Sequence, residues 1–374
     1  MKNNKPLYRK IIDYLKEKIA NEEYLPGERI PSEIELAEQF DVSRITSKRA
    51  LVELELEGII YRARGKGSFV KGDNRLNIQS KDVKNKSKMI SMILPFKDEN
   101  GSLDYIKGAS SFLESKGYYL TIQTTDQDWQ KEKKFLEELP LKGIEGIIFY
   151  PQTTNRHLEI LNTLAMNKYP VVTIDKHFES ASLISVISDN FQGGYECASH
   201  LIKLKHRRIA FVSYRSIETL PTVRDRYFGY CQALLDHSIE VNPTIVKINF
   251  SVEISQKDLK TFYTDLIRNF LKNGVTAIQS ENDIIAIGLI NTAGEMGLNI
   301  PRDLSIIGFD NLPISENLEP PLTTIAQNFE QIGKCAAKLI VKQIERRTSE
   351  TKNIILPVKL ISRDSTSTRN VLEN

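Results

Sequence analysis

The stretch Val275–Asp310, VTAIQSENDIIAIGLINTAGEMGLNIPRDLSIIGFD, decides the fold of the larger part of this chain. It opens on a short β-prone run, VTAIQS, and closes on a second, LSIIGFD. Between them lies a longer apolar stretch of helical length. Polar residues stand where each run ends: Glu281, Asn282 and Asp283 after the first, Asp310 after the second. A strand, a helix and a strand in this order make a βαβ unit with parallel strands.

Nine further β-prone runs extend this pattern: MISMILP, YYLTIQT, GIEGIIFYP, YPVVTID, SLISVIS, RRIAFVSY, TIVKINF, LTTIA and IILPVKLISR. Eleven strands from Met89 onward predict an α/β fold with two doubly wound parallel-sheet subdomains rather than one. Ligands of such sheets bind beyond the carboxyl ends of the strands. That rule singles out Asp175 at the end of VVTID, Asn282 and Asp310. Arg226, in TVRDRYFGY, opens a helix after RRIAFVSY. Asp, Asn and Arg supply paired acceptors and donors that match the vicinal hydroxyls of a sugar. Phe96, Tyr150 and Phe250 stand near strand ends and suit stacking on a sugar's apolar face, although any one aromatic is more often core. Asp283 reads as a helix cap or a loop salt bridge.

The first seventy or so residues are of another kind. Leu7, Ile11, Leu15 and Ile19 recur every four residues and mark a first amphipathic helix. LPGERIP breaks it. Ser32 and Glu35 form a capping box that starts a second helix. Ser43 caps a third, from about Arg44 to Leu56, which Gly58 ends. IIYRA and SFV flank RGKG as a hairpin. Three helices and a hairpin make a winged helix-turn-helix. At about 100° per residue, Ser47, Ala50, Leu51 and Leu54 share one face of the third helix. Arg44, Ile45, Lys48 and Arg49 take the other, with Thr46 near the helix start. A basic, hydroxyl-rich N-terminal half suits entry into a major groove. Ile45 suits a thymine methyl. Arg62, Arg64 and Lys66 on the hairpin suit backbone or minor-groove contact.

Charge agrees with this division. Residues up to Lys88 hold 19 basic and 14 acidic side chains, leaving 32 and 34 for the remainder of the 374. The basic excess therefore sits at the N-terminal end, as for a nucleic-acid partner. GDNRLNIQSKDVKNKSK, residues 72–88, is polar and aperiodic and reads as a flexible linker. It separates a head, residues 1–71, from a body, residues 89–374. The start of the chain lacks the apolar run of a signal peptide, and no stretch is long enough for a membrane span, which predicts a cytoplasmic protein. Cys197, Cys231 and Cys335 give no CxxC, and the five histidines show no ligand spacing. Neither a metal, nor a cofactor, nor an enzyme's catalytic constellation is expected.

Two family resemblances bear on this reading. PLYRKIIDYLKEKI and LPGERIPSEIELAEQFDVSRITSKRALVELELEGIIYRARGKGSFV resemble a GntR-family DNA-binding domain, with PLY, PGERIPSE, VSR.T and GxGxFV in order. The resemblance implies DNA contacts by Arg44, Thr46, Lys48, Arg64 and Gly65; Ser43, Ile45, Arg49 and Lys66 complete the candidate surface. Ile34 stands where the family often has Arg, and Ile45, Ser47 and Lys48 depart from its TTVR. The body resembles the effector domain of the LacI/GalR family, of periplasmic-binding-protein type, through ND..AIG, G..IPRDLSIIGFDN and P.LTTI.Q....G..A. That resemblance implies effector contacts by Asp175, Arg226, Phe250, Asn282, Asp310 and Gln327. It also implies chain crossings between subdomains near Ser188, Thr324 and Thr348. Together they imply a homodimeric regulator of transcription, on palindromic operator DNA, that a small sugar controls. A purine in place of the sugar, or activation in place of repression, is the alternative.

Overall fold

The computed structural model describes residues 7–21, 23–25, 27–63, 67–70, 87–95, 101–178, 183–250, 256–346 and 353–369. They divide into two compact units, one within residues 1–79 and one within 80–374. The expected linker, residues 72–88, lies outside the described residues apart from Ser87 and Lys88.

The small unit runs α1 (Leu7–Ala20), β1 (Arg29–Ile30), α2 (Glu33–Phe40), α3 (Arg44–Leu56), β2 (Ile60–Ala63) and β3 (Gly67–Val70). The capping box of α2 is formed: the Ser32 hydroxyl accepts from the Glu35 amide at 3.3 Å, and the Glu35 carboxylate accepts from the Ser32 amide at 2.6 Å. Ser43 caps α3 by accepting from the Thr46 amide. Ser47, Ala50, Leu51 and Leu54 are all fully buried, against Ile11, Leu15 and Leu36. The amphipathic pattern thus places α3 as expected. The Ser47 hydroxyl donates to the Glu33 carbonyl at 2.6 Å, which joins the N-terminal ends of α2 and α3. β2 and β3 pair antiparallel as the wing, and β1 adds a short third strand beside β3. The LPGERIP segment, read as a break alone, therefore also supplies a strand.

In the large unit the elements are β4 (Met89–Leu94), α4 (Ser102–Ser115), β5 (Tyr119–Thr124), α5 (Trp129–Leu141), β6 (Gly146–Phe149), α6 (Leu158–Met166), β7 (Val171–Ile174) and β8 (Ile184–Ser188). The chain continues with α7 (Asn190–Lys203), β9 (Ile209–Ser213), α8 (Pro221–Asp236), β10 (Val246–Ile248), α9 (Gln256–Lys272), β11 (Ala277–Ser280), α10 (Asp283–Glu295) and β12 (Ser305–Ile307). It ends with β13 (Thr324–Ala326), α11 (Phe329–Arg346), β14 (Ile354–Leu356) and β15 (Lys359–Ile361).

Two parallel sheets result, a six-stranded one in the order β14-β8-β7-β6-β4-β5 and a four-stranded one in the order β10-β9-β11-β12. β13 and β15 form a two-stranded antiparallel ribbon that bridges onto the segment around β12. The eleven expected strands are all present, but IILPVKLISR splits. β14 pairs with β8 in the six-stranded sheet, and β15 turns away to pair with β13. Most strands of both sheets are buried apolar runs because helices cover them, whereas the edge strands β5, β10 and β14 are partly exposed. α11 lies against α4 at close range. A Cβ on Gly333 would stand 2.1 Å from the Tyr105 carbonyl, and one on Gly108 1.8 Å from the Glu330 carbonyl. Only glycine at these two points lets the helix backbones meet.

Candidate functional site

In the small unit, Arg44, Ile45, Lys48 and Arg49 of α3 are exposed, and Ile45 is 80% so. An isoleucine this open adds nothing to the core. Arg44 Nε lies 3.3 Å from a Glu33 carboxylate oxygen, and the other oxygen of Glu33 holds Arg62 from the wing. Glu33 therefore links the helix to the hairpin through the two arginines. Thr46 is half-buried, and its hydroxyl lies 2.9 Å from that of Ser43. Arg49 is also held on the head's own surface. Its guanidinium stacks on the Tyr8 ring at 4.1 Å and Nε lies 3.4 Å from Glu53, so packing on α1 competes with any outward contact. Arg64, Gly65 and Lys66 lie outside the described residues.

In the large unit a cleft of about 620 Å³ opens at the carboxyl ends of both parallel sheets. Tyr150 follows β6, Asp175 and Lys176 follow β7, Tyr214 and Arg215 follow β9, Glu281 and Asn282 follow β11, and all of them line it. Arg226 of α8, Asp310 and Gln327 complete the lining. Six of the expected contact residues thus meet in one cavity of the size small-molecule sites have. Phe96 lies outside the described residues. Phe250 is a correction. It is 6% exposed, stacks on Phe262 at 4.6 Å and meets Tyr214 edge-on at 5.3 Å, and it belongs to the core rather than to the cleft lining. β10 ends at Ile248, and the chain beyond it turns Phe250 inward.

Arg226 organises one wall. Nε donates to Asn190 Oδ1 at 2.8 Å and Nη1 to the Glu281 carbonyl at 2.5 Å. Nη2 lies 3.6 Å from Asp310 Oδ1, and the guanidinium covers the Phe309 ring at 3.7 Å. Gln327 Nε2 donates to the same Asp310 oxygen at 2.6 Å. Asp310 and Asp175 both have positive φ, 118° and 66°, a costly conformation for residues with a side chain. Such strain clusters at ligand sites. Asn282 caps α10 by accepting from the Ile285 amide at 2.9 Å, and its NH2 group donates to Glu281 Oε1 at 3.4 Å. Asp283 is not that cap. It is fully buried and accepts from the Leu312 amide at 2.8 Å and the Thr324 hydroxyl at 2.5 Å, bracing the wall from behind. On the opposite wall Lys176 Nζ lies 3.2 Å from Asp175 and 4.3 Å from the Tyr150 ring centre.

Burial pushes the Asp310 carboxyl up to about 8 against the pull of Arg226, and nearby Asp283 and Asp175 push the same way. Burial also raises Asp283, to about 6, and raises Glu281 despite hydrogen bonds from Ser213 and Arg215. Near pH 7 to 8 the folded chain therefore holds a proton on Asp310 that the unfolded chain, titrating near 3.8, has lost. The folded state binds more protons, so stability falls as pH rises through this window, by at most about 1.4 kcal/mol per pH unit. His200 and His206 are lowered by burial and act with the opposite sign, but below their ordinary value of 6.5. Asp310→Asn is expected to flatten the slope between about pH 7 and 8, read as thermal midpoints. An unchanged slope would reject the protonated carboxyl.

Residues 7–70 match the family of bacterial regulatory proteins, gntR family, and residues 198–366 match the periplasmic binding protein-like domain. An arabinose metabolism transcriptional repressor from Geobacillus stearothermophilus is 32% identical over 349 residues, which cover 91% of this chain and 92% of that one. This chain belongs to the GntR-headed transcriptional repressors with a periplasmic-binding-protein-like domain. A second such repressor of arabinose metabolism, from Halalkalibacterium halodurans, is 30% identical over 370 residues and covers 96% of both chains. Among solved structures, a LacI family transcriptional regulator from Enterococcus faecium with bound ribose is 26% identical. It superposes with a TM-score of 0.64 over 75% of this chain and all of that one. This GntR-headed repressor is therefore a DNA-binding regulator of transcription, as the relatives and the neighbour named above are. Among the described residues no helix is long and apolar enough to cross a membrane, and no group of His, Cys, Asp and Glu has the form of a metal site.

The sequence reading missed Lys176, Tyr105 and Phe329 as lining residues. Lys176 was findable as the neighbour of Asp175 beyond a strand end. Tyr105 and Phe329 carried no such signal, since both lie on helices at spacings that read as core.

Proposed function

We propose that this repressor leaves its operator when a small neutral sugar, arabinose or a related pentose, binds the cleft. The carrying observation is the cleft's pairing of donors with acceptors. Lys176 faces Asp175, and Arg226 and Gln327 face Asp310, so each nitrogen donor stands beside a carboxyl oxygen. Such a lining suits vicinal hydroxyls, each able to donate and to accept. Relatives named for arabinose metabolism and a neighbour that holds ribose support the pentose class. In this reading a head of residues 1–71 is joined through 72–88 to an effector domain of residues 89–374. Two chains pair and set two recognition helices on a palindromic operator. Leu103, and Ile122 on the edge strand β5, are exposed and apolar and suit such pairing. Ligand binding draws the two sheets together and lowers operator affinity through a coupling of about 1–3 kcal/mol.

A gel-shift titration against the gene's own upstream DNA tests this, with the aldopentoses and hypoxanthine as probes. Release by a pentose is expected, at 5- to 150-fold weaker operator affinity by that coupling, about 1–3 kcal/mol. Retention unchanged by every pentose would sink the reading, and release by hypoxanthine alone would replace it.

A further inference from the structure

Tyr105 stands on the first helix of the six-stranded subdomain and reaches the cleft from within the core. It is 2% exposed, and its hydroxyl has no hydrogen-bond partner among the described residues. The ring is fixed between Tyr150, at 5.8 Å and 81°, and Phe329, at 5.0 Å and 55°. Both neighbours also line the cleft. The helix that carries it packs closely on α11, because Gly333 brings that helix against the Tyr105 carbonyl itself. Burial, then Asp175, Tyr150 and Asp310, hold the phenol well above its ordinary value, so it stays a donor. Asp175 and Asp310 line the same cleft as Tyr105.

Packing alone does not account for this hydroxyl. A phenylalanine would fill the same space and would desolvate no polar group. The hydroxyl is a cost to the unliganded fold that a ligand removes. We propose that Tyr105 contacts the effector directly, its hydroxyl donating to an oxygen of a polyhydroxylated ligand held between Asp175 and Asp310. This rests on the sugar reading above and sharpens it. A ligand hydroxyl donates to one carboxyl and accepts from Tyr105 at the same time, whereas a ring nitrogen of a purine does only one of these. Tyr105 therefore selects for a hydroxyl at one position of the ligand.

The test is Tyr105→Phe in the full chain, by calorimetric titration with the four aldopentoses and by melting without ligand. The unliganded midpoint is expected to rise by about 2 °C. Affinity for the pentose that binds wild type is expected to fall about ten-fold, the size of one lost hydrogen bond to a buried partner. A merely structural tyrosine would give the reverse pairing: a lower midpoint with any loss of affinity following from it. That result, or unchanged affinity, overturns the inference alone. A wild-type chain that binds no pentose overturns the sugar reading and this inference with it.

Discussion

Arg226→Ala is expected to abolish the response of the repressor to its effector and to destabilise the large unit by about 3 kcal/mol. The guanidinium makes two hydrogen bonds, faces Asp310 at 3.6 Å and covers Phe309. Its removal leaves the Asn190 and Glu281 oxygens and the Asp310 carboxyl short of donors. Breaking a buried ion pair commonly costs about 3–5 kcal/mol because a lone charge stays behind. Here the carboxyl is already raised to about 8 with Arg226 in place, so without it Asp310 keeps its proton and that charge never forms. The loss should fall at the lower end of the range. Ligand recognition has no such escape, since the donors of Arg226 are gone whatever the state of Asp310. Arg226→Lys restores the charge without the fork and should recover stability better than response. Thermal melts and operator-release titrations of both variants read the two effects separately. Release of Arg226→Ala at the wild-type ligand concentration would remove Arg226 from the site.

The head was legible nearly residue by residue because its determinants are local. The Ser32–Glu35 box, the Ser43 cap and the four-residue apolar spacing all act within two helical turns, and each stands where the sequence places it. The strands of the body were legible for the same reason, as was the rule that puts Asp175, Asn282 and Asp310 at strand ends. What sequence could not supply was partnership over distance. Pro357 divides one apolar run between two sheets because β8 and β13, far apart in the chain, each claim a half. Phe250 stands near a strand end yet turns into a core built from α9 and the loop after β9. Tyr105 becomes a cleft residue only because α11, more than two hundred positions later, presents Gly333 and Phe329 to it. Arg49, on the outward face by helical geometry, finds Tyr8 across the head. In each case the contact was settled by an element the local pattern does not contain.

Two substitutions in α3 should separate affinity from specificity on DNA. Arg44→Ala is expected to weaken binding to every DNA site by about ten-fold per head and to lower the salt slope by about one. Arg44 is 69% exposed in its side chain and free to swing from Glu33 at 3.3 Å, a surface pair worth little in water. A phosphate carries a full charge within a field of others, so it competes well for that guanidinium. Its loss is felt equally on all sequences, because phosphates carry none. Ile45 is the converse. With no charge and 80% exposure, it has nothing to offer a phosphate and much to offer a thymine methyl. Ile45→Thr keeps the β-branch and adds a hydroxyl, so the helix is preserved while the methyl-binding surface shrinks. Overall affinity should change little, and the preferred base at one position of each half-site should change. Selection from a randomised operator with wild type and both variants, repeated at two salt concentrations, reads all of this at once. The same consensus from Ile45→Thr as from wild type would reject base reading by Ile45. A loss confined to some sequences in Arg44→Ala would move that arginine from the phosphates to a base edge.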